Sequence, residues 1–306
     1  MLREFLPVNH GTVMALVGAG GKTTTMVRLG SELAATGMSV VLTTTTHIYL
    51  PRPQETDHLV VMTERQALLA AVAQVVRRGQ RVTVAADCLP PSAAGRSSLR
   101  RATEAPVEHA GHLFAAMPAD LPVEPESCQP CVAHQPAHPA GRPGAKLRGI
   151  PPTWIADLRD LPGVDAVLVE ADGAKMRQVK APAAHEPALP PCTTLLLAVA
   201  SATALGQPLD DHIAHRPERI AAVTGLLPGM IITPEALARL ITSDDGALKG
   251  LPAGAGAWLL LTHITPNNVA MARRAATLAL ATGRLQGTLL ASLDTCIPMG
   301  PPQPPF

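Results

Sequence analysis

Apolar residues run without interruption through Val13-Met14-Ala15-Leu16-Val17 and then give way to a turn holding three glycines. A short, β-branched run of this kind, residues 12–17, predicts a strand buried on both faces of a parallel sheet. After the turn the period changes. Met26, Leu29 and Leu33 share one face at helical spacing, and Gly37 stops the helix. The same exchange of strand and helix patterns recurs down the chain. Residues 39–42 predict a second strand. Ala67, Leu68, Val72, Val75 and Val76 mark a helix closed by Gly79, and 81–86 a third strand. Pro152 suits the first turn of a helix carrying Trp154 and Leu158. Strands follow at 164–169 and 194–199. Thr233 caps and Pro234 opens a helix reaching Ile241. Residues 257–261 form a strand, 268–281 a helix closed by Gly283, and 287–291 the last strand. Such alternation predicts an α/β fold, a mostly parallel sheet with helices on both faces and ligand sites at the strands' carboxyl ends.

One segment breaks the pattern. Residues 88–148 are rich in Pro, Ala, Gly and His, and beyond a short helix expected near 113–116 they read as a flexible insertion. Cys128, Cys131, His134 and His138 fall within it. Only two residues separate Cys131 from His134, whereas a zinc site of two Cys and two His usually has about twelve. They are therefore read as incidental loop residues, with metal binding left open. The tail 298–306 is too proline-rich for helix or strand and is expected to be disordered. No repeat divides the chain, so residues 1–306 read as a single P-loop NTPase-like domain.

Composition narrows the partners. Hydrophobic residues make up 47 % and charged ones 16 %, enough for a sizeable core. Aromatic residues are only 2 %, so that core is built from Ala, Val and Leu, and single-stranded nucleic acid finds no stacking platform. A net charge of +1 gives no electrostatic footprint for nucleic acid or an acidic membrane. The apolar stretch 193–205 is too short to span a bilayer. The N-terminal apolar run leads into Lys22, which marks it as a strand rather than a leader. Five cysteines without framework spacing fit a reducing, cytoplasmic setting.

The chemistry lies at the predicted strand ends. Gly18, Ala19, Gly20, Gly21, Lys22, Thr23 and Thr24 join the first strand to the first helix. Glycines let backbone N–H groups wrap a phosphate, and the helix dipole favours negative charge there. This segment predicts nucleoside triphosphate binding, with Lys22 at the β- and γ-phosphates and the Thr23 hydroxyl on Mg²⁺. The strict G-x-x-x-x-G-K-[ST] pattern is unmet, since Leu16 stands where its first glycine belongs. The shorter loop is closer to those of Mur-type ligases and of ATPases carrying G-K-T-T. A second strand ends in Glu170-Ala171-Asp172-Gly173, with both carboxylates on one face and placed to reach that magnesium. Glu170, directly after Val169, is the better placed; Asp172 is expected in part to bond its own turn. Thr44, within the run of four threonines at 43–46, is expected to complete the metal shell or sense the γ-phosphate. Lys175, Arg177 and Lys180 lead to His185-Glu186-Pro187. Lys180, His185 and Glu186 are candidates for holding an anionic substrate, and a solvated surface loop fits them equally well.

These motifs recur as an ordered set. G-A-G-G-K-T-T from Gly18, T-T-T-T-H ending at His47, E-A-D-G from Glu170, K-A-P-x-x-H-E-P from Lys180 and His215-Arg216-Pro217-Glu218 together resemble the selenium-dependent hydroxylase accessory proteins, the YqeC type. The likeness extends to K-L-R-G-I from Lys146 and to Val223-Thr224-Gly225, and leaves out the insertion and tail. It implies a cytoplasmic P-loop protein that helps mature or insert the cofactor of a molybdenum hydroxylase. Similar proteins tend to carry an N-K-x-D-like segment after the late strand. Here that place reads Thr262-His263-Ile264-Thr265, which gives no support for guanine and leaves ATP as the expected nucleotide. The leading expectation is an ATP- and Mg²⁺-dependent accessory enzyme with Lys22, Glu170 and Asp172 as catalytic residues. A Mur-like ligase or small-molecule kinase, and a non-hydrolysing nucleotide-gated cofactor chaperone, are the alternatives.

Overall fold

The structure, a computed structural model, describes residues 1–89, 144–292 and 296–299. In chain order its regular elements begin β1 (Thr12–Gly18), α1 (Lys22–Ala34), β2 (Val40–Thr44), β3 (His47–Tyr49), β4 (His58–Val61), α2 (Arg65–Val75), β5 (Arg81–Ala85) and β6 (Asp87–Leu89). There follow β7 (Lys146–Arg148), α3 (Ile155–Arg159), β8 (Ala166–Glu170), β9 (Val179–Lys180), β10 (Leu195–Ser201), β11 (Ala214–His215) and α4 (Pro217–Thr224). The last are α5 (Pro234–Thr242), β12 (Gly256–Thr262), α6 (Val269–Ala281), β13 (Gly287–Ala291) and β14 (Cys296–Met299).

Nine strands form the main sheet in the order β14-β13-β12-β10-β1-β8-β2-β5-β4. All are parallel except β14, which runs antiparallel to β13 at one edge. The fold is α/β, as the alternating pattern predicts, and is consistent with a P-loop-like architecture. Strand β1 is buried along its whole length because each face meets a different core. Met14 and Leu16 face Met26, Leu29 and Leu33 of α1, together with Leu2 and Leu6. Ala15 and Val17 face the opposite layer, where α5 and α6 contribute Leu237, Ile241, Ala272 and Ala276. Val13 joins Val41 and Val167 under α2 and α3. Helices thus cover both faces.

The structure redraws the ends of two segments. Cys88 and Leu89 lie in β6 and residues 146–148 in β7, so both margins of the expected insertion are strands. With β3 they form a small antiparallel sheet in which Leu147 is fully buried. A three-residue exposed–buried–exposed pattern is too short to read from periodicity, and only packing on the Ile48 side reveals it. The expected helix at 113–116 and the residues Cys128, Cys131, His134 and His138 lie outside the described residues. Pro298 and Met299, assigned to the tail, belong to edge strand β14, where proline is tolerated. Strand β4 and helix α4 were also not predicted from periodicity. Each is short and takes its burial from neighbouring elements.

Candidate functional site

The sheet brings the carboxyl ends of its central strands to one edge. Leu16 pairs with Glu170 and Thr44 with Glu170 across β1, β8 and β2, while Gly18 lies opposite Val199 and Ser201 opposite Thr262. The glycine loop 18–21 therefore opens between two flanks, β8 and β2 on one side and β10 and β12 on the other. Its path needs glycine. Gly20 has φ 78°, and a Cβ there would lie 2.6 Å from Ser201 Cβ and 2.9 Å from the Gln178 carbonyl. Gly21 then caps α1 at φ 120°. The first amides of α1, which no carbonyl within the helix can accept, and the positive end of its dipole border the loop.

Lys22 begins α1 but folds back beneath the loop. Its Nζ donates to the Gly18 carbonyl at 2.6 Å and lies 3.0 Å from Asp172 Oδ1 and 3.8 Å from Glu170 Oε1. Asp172 is buried and accepts the Gly18 N–H at 3.1 Å, rather than bonding its own turn as its place before Gly173 suggests. Thr23 Oγ1 donates to Glu170 Oε2 at 2.6 Å. Burial raises the Glu170 pKa, against the pull of Lys22 and the Thr23 hydrogen bond.

The charges continue inward. Lys180 Nζ meets the Gly173 carbonyl at 2.6 Å, Glu186 Oε2 at 2.8 Å and Asp172 Oδ2 at 3.0 Å. Its three protons have three oxygen partners. Glu186 also accepts Arg216 Nη1 at 2.6 Å and the Ala183 N–H at 3.2 Å. Burial alone would raise the Glu186 pKa; the bonds from Arg216, Lys180 and Ala183 outweigh it and bring it to about 2. Glu170, Lys22, Asp172, Lys180, Glu186 and Arg216 thus form one alternating row of three acids and three bases. A row balanced this way can be buried without a stranded charge.

The predicted residues separate by position. Lys22, Thr23, Glu170 and Asp172 come together at the loop. Lys180 and Glu186 join the same row, but their charges face each other inside the protein, while His185 is exposed beyond it. Thr44 sits under the site, its hydroxyl donating to the Glu170 main-chain carbonyl at 2.8 Å. Thr24 is exposed on the first turn of α1. Arg216 carries no local signal of its role, although it sits in the H-R-P-E motif; its pairing with Glu186 spans 30 residues. Ser201, Thr262 and His263, at the ends of β10 and β12, were missed too. All four non-glycine residues with positive φ among the described residues border this region: Lys175 (47°), Met176 (58°), Arg216 (66°) and His263 (55°). Backbone strain of this kind concentrates at functional sites.

The YqeC protein family model matches residues 14–95 and 118–218, which take in the glycine loop and the whole row of charges. The chain belongs to the YqeC family. The uncharacterized protein YqeC of Escherichia coli (strain K12) is 28% identical over 243 residues, covering 79% of this chain and 72% of that protein. No solved structure matches the chain. As a YqeC family member it therefore has its loop, its carboxylates and Arg216 inside the matched residues, whereas Thr262 and His263 lie beyond them. Among the described residues no helix is long and apolar enough to cross a membrane.

Proposed function

We propose that this YqeC family member binds a magnesium nucleoside triphosphate, with ATP the favoured nucleotide, on the loop at Gly18–Gly21 and the start of α1. The observation that carries this reading is the 2.6 Å bond between Thr23 and Glu170, made at a helix N-terminus directly after a glycine loop. A hydroxyl and a carboxylate are hard oxygen donors, suited to a small cation that takes its remaining ligands from water and phosphate. Thr23 and Glu170 would hold Mg²⁺, which when bound neutralises charge on the phosphate oxygens. The chain's own part is electrostatic. Lys22 leaves Asp172 for the β/γ-phosphates, and the loop amides and the dipole of α1 complete the anion site. Asp172 and Lys180 position Lys22 and the loop, and do not touch the nucleotide.

The reading extends to biology through the resemblance of the ordered motifs to selenium-dependent hydroxylase accessory proteins. On that ground the protein serves the maturation of a selenium-dependent molybdenum hydroxylase or its molybdenum cofactor, with nucleotide turnover as the driving step. Binding of Mg²⁺·ATP to the intact protein and to Lys22→Ala tests the first part. The variant is expected to bind at least tenfold more weakly with its fold unchanged, and equal affinity rejects the loop as the site. Co-expression with a selenium-dependent molybdenum hydroxylase tests the second. Hydroxylase activity should fall when Lys22→Ala replaces the intact protein, and equal activity rejects the accessory role.

A further inference from the structure

His263 is displayed beside the glycine loop, in the turn that leads from β12 to the Asn268 cap of α6. Its ring is exposed and its backbone is left-handed. Both ends of the buried Asn268 side chain hold the turn, Nδ2 donating to the His263 carbonyl at 3.0 Å and Oδ1 accepting the Thr265 N–H at 2.9 Å. Were Gly21 given a Cβ, His263 Cε1 would lie 3.9 Å from it.

The surrounding hydroxyls assign the imidazole proton. Thr262 Oγ1 lies 2.5 Å from the Gly20 carbonyl, which can only accept, so the threonine proton is used there. Thr262 Oγ1 must therefore accept from His263 Nδ1, 2.9 Å away. Ser201 gives the same answer. Thr203 Oγ1 donates to Gln178 Oε1, Ser201 Oγ to Thr203 Oγ1 at 2.7 Å, and this leaves Ser201 Oγ to accept from Nδ1 at 3.1 Å. In the tautomer that carries its proton on Nδ1, the ring presents Nε2 as a bare acceptor.

The two flanks of the loop differ in what they offer a ligand. The side of β8 and β2 carries Thr23, Glu170 and the Thr44 turn, onto which Gly149 packs so tightly that a Cβ would lie 2.4 Å from the Thr44 carbonyl. The side of β10 and β12 carries Gly20's partner Thr262 and the exposed His263. A triphosphate with its terminal phosphates at Lys22, Thr23 and Glu170 leaves its nucleoside to that second flank. Resting on the nucleotide reading above, we propose that His263 Nε2 accepts a hydrogen bond from the nucleoside. The donor is a neutral N–H or O–H, either an exocyclic amine of the base or a ribose hydroxyl.

The test compares affinities of the intact protein, His263→Ala and His263→Asn for Mg²⁺ complexes of ATP, ITP, 2′-deoxy-ATP, 3′-deoxy-ATP and inorganic tripolyphosphate. Asparagine tolerates the left-handed backbone but lacks the reach of the imidazole, so it separates lost contact from lost structure. Both variants should bind ATP about tenfold more weakly, the effect of one hydrogen bond. Tripolyphosphate affinity should stay within about twofold. If the amine is the donor, ITP binds the intact protein weakly and the variants no worse; if a hydroxyl, the corresponding deoxy nucleotide behaves so. ATP affinity unchanged in both variants, while Lys22→Ala abolishes it, overturns the inference and leaves the loop reading standing. Equal weakening of tripolyphosphate also overturns it. An intact protein that binds no nucleotide removes both readings together.

Discussion

Lys22 and Asp172 form an ion pair at 3.0 Å with both side chains only 3 % exposed, and Asp172 at the same time accepts the N–H of Gly18. One carboxylate therefore fixes both the start of the glycine loop and the lysine that closes it. In the proposed nucleotide complex, the phosphates draw Lys22 away from this pair. Lys180, 3.0 Å from the other oxygen of Asp172, keeps that carboxylate compensated when they do.

The two carboxylates of E-A-D-G accordingly separate in role. Asp172→Asn leaves Lys22 and Lys180 short of a buried partner and is expected to lower unfolding stability by about 3 kcal/mol. Glu170→Gln keeps a hydrogen bond to Thr23 and should cost about 1 kcal/mol or less, while Mg²⁺-dependent ATP hydrolysis falls about a hundredfold. Urea denaturation and turnover of the two variants check this, and equal stability losses would contradict it.

Glu186 sets an acid limit on stability. Its folded pKa is about 2 against an ordinary 4.5, so ionised Glu186 stabilises the fold fully above pH 4.5. That stability is lost as the pH falls through 4.5 towards 2. Glu186→Gln has no such proton to take up. Its thermal midpoint, lower than that of the intact protein at neutral pH, should vary less over this window, and parallel profiles would rule out Glu186 as the titrating group.

Two glycines beside the site should respond differently. Gly20→Ala drives a Cβ into Ser201 and the Gln178 carbonyl from a left-handed backbone, and is expected to abolish ATP binding and lower the thermal midpoint. A Cβ on Gly173 meets nothing within 4 Å. Gly173→Ala should leave both properties unchanged, and matching losses in the two variants would show that loop geometry is not the cause.

Leu89 pairs with Lys146 across β6 and β7, so the ends of the intervening segment already lie side by side. Replacing residues 91–143 with a Gly-Ser linker of about five residues should close the hairpin at little entropic cost. The thermal midpoint should stay within about 4 °C, the shift that about 1 kcal/mol produces in a domain of this size. Zinc analysis of both chains completes the test. Stoichiometric zinc in the intact chain, lost with the segment, would assign a metal site to Cys128, Cys131, His134 and His138.

The α/β alternation, β1, the glycine loop and the strand end carrying Glu170 were legible in the sequence because each is encoded locally. Hydrophobic period distinguishes strand from helix within ten or so residues, and Gly20 and Lys22 sit at a junction whose backbone demands are local. Short pieces such as the Leu147 strand escaped because three residues carry no period. The partners of the charged residues were beyond local reading. Lys180 reads as a surface cation until Asp172, Glu186 and the Gly173 carbonyl close around it, and Arg216 finds Glu186 across 30 residues. His263 reads as an ordinary strand-end residue until β12 lies beside β10 and brings it to Ser201 and Gly21. Sequence determined which chemistry the chain carries. The order of strands in the sheet decided which charges face inward and which side chains border the loop, because electrostatic pairing depends on distances that only tertiary packing sets.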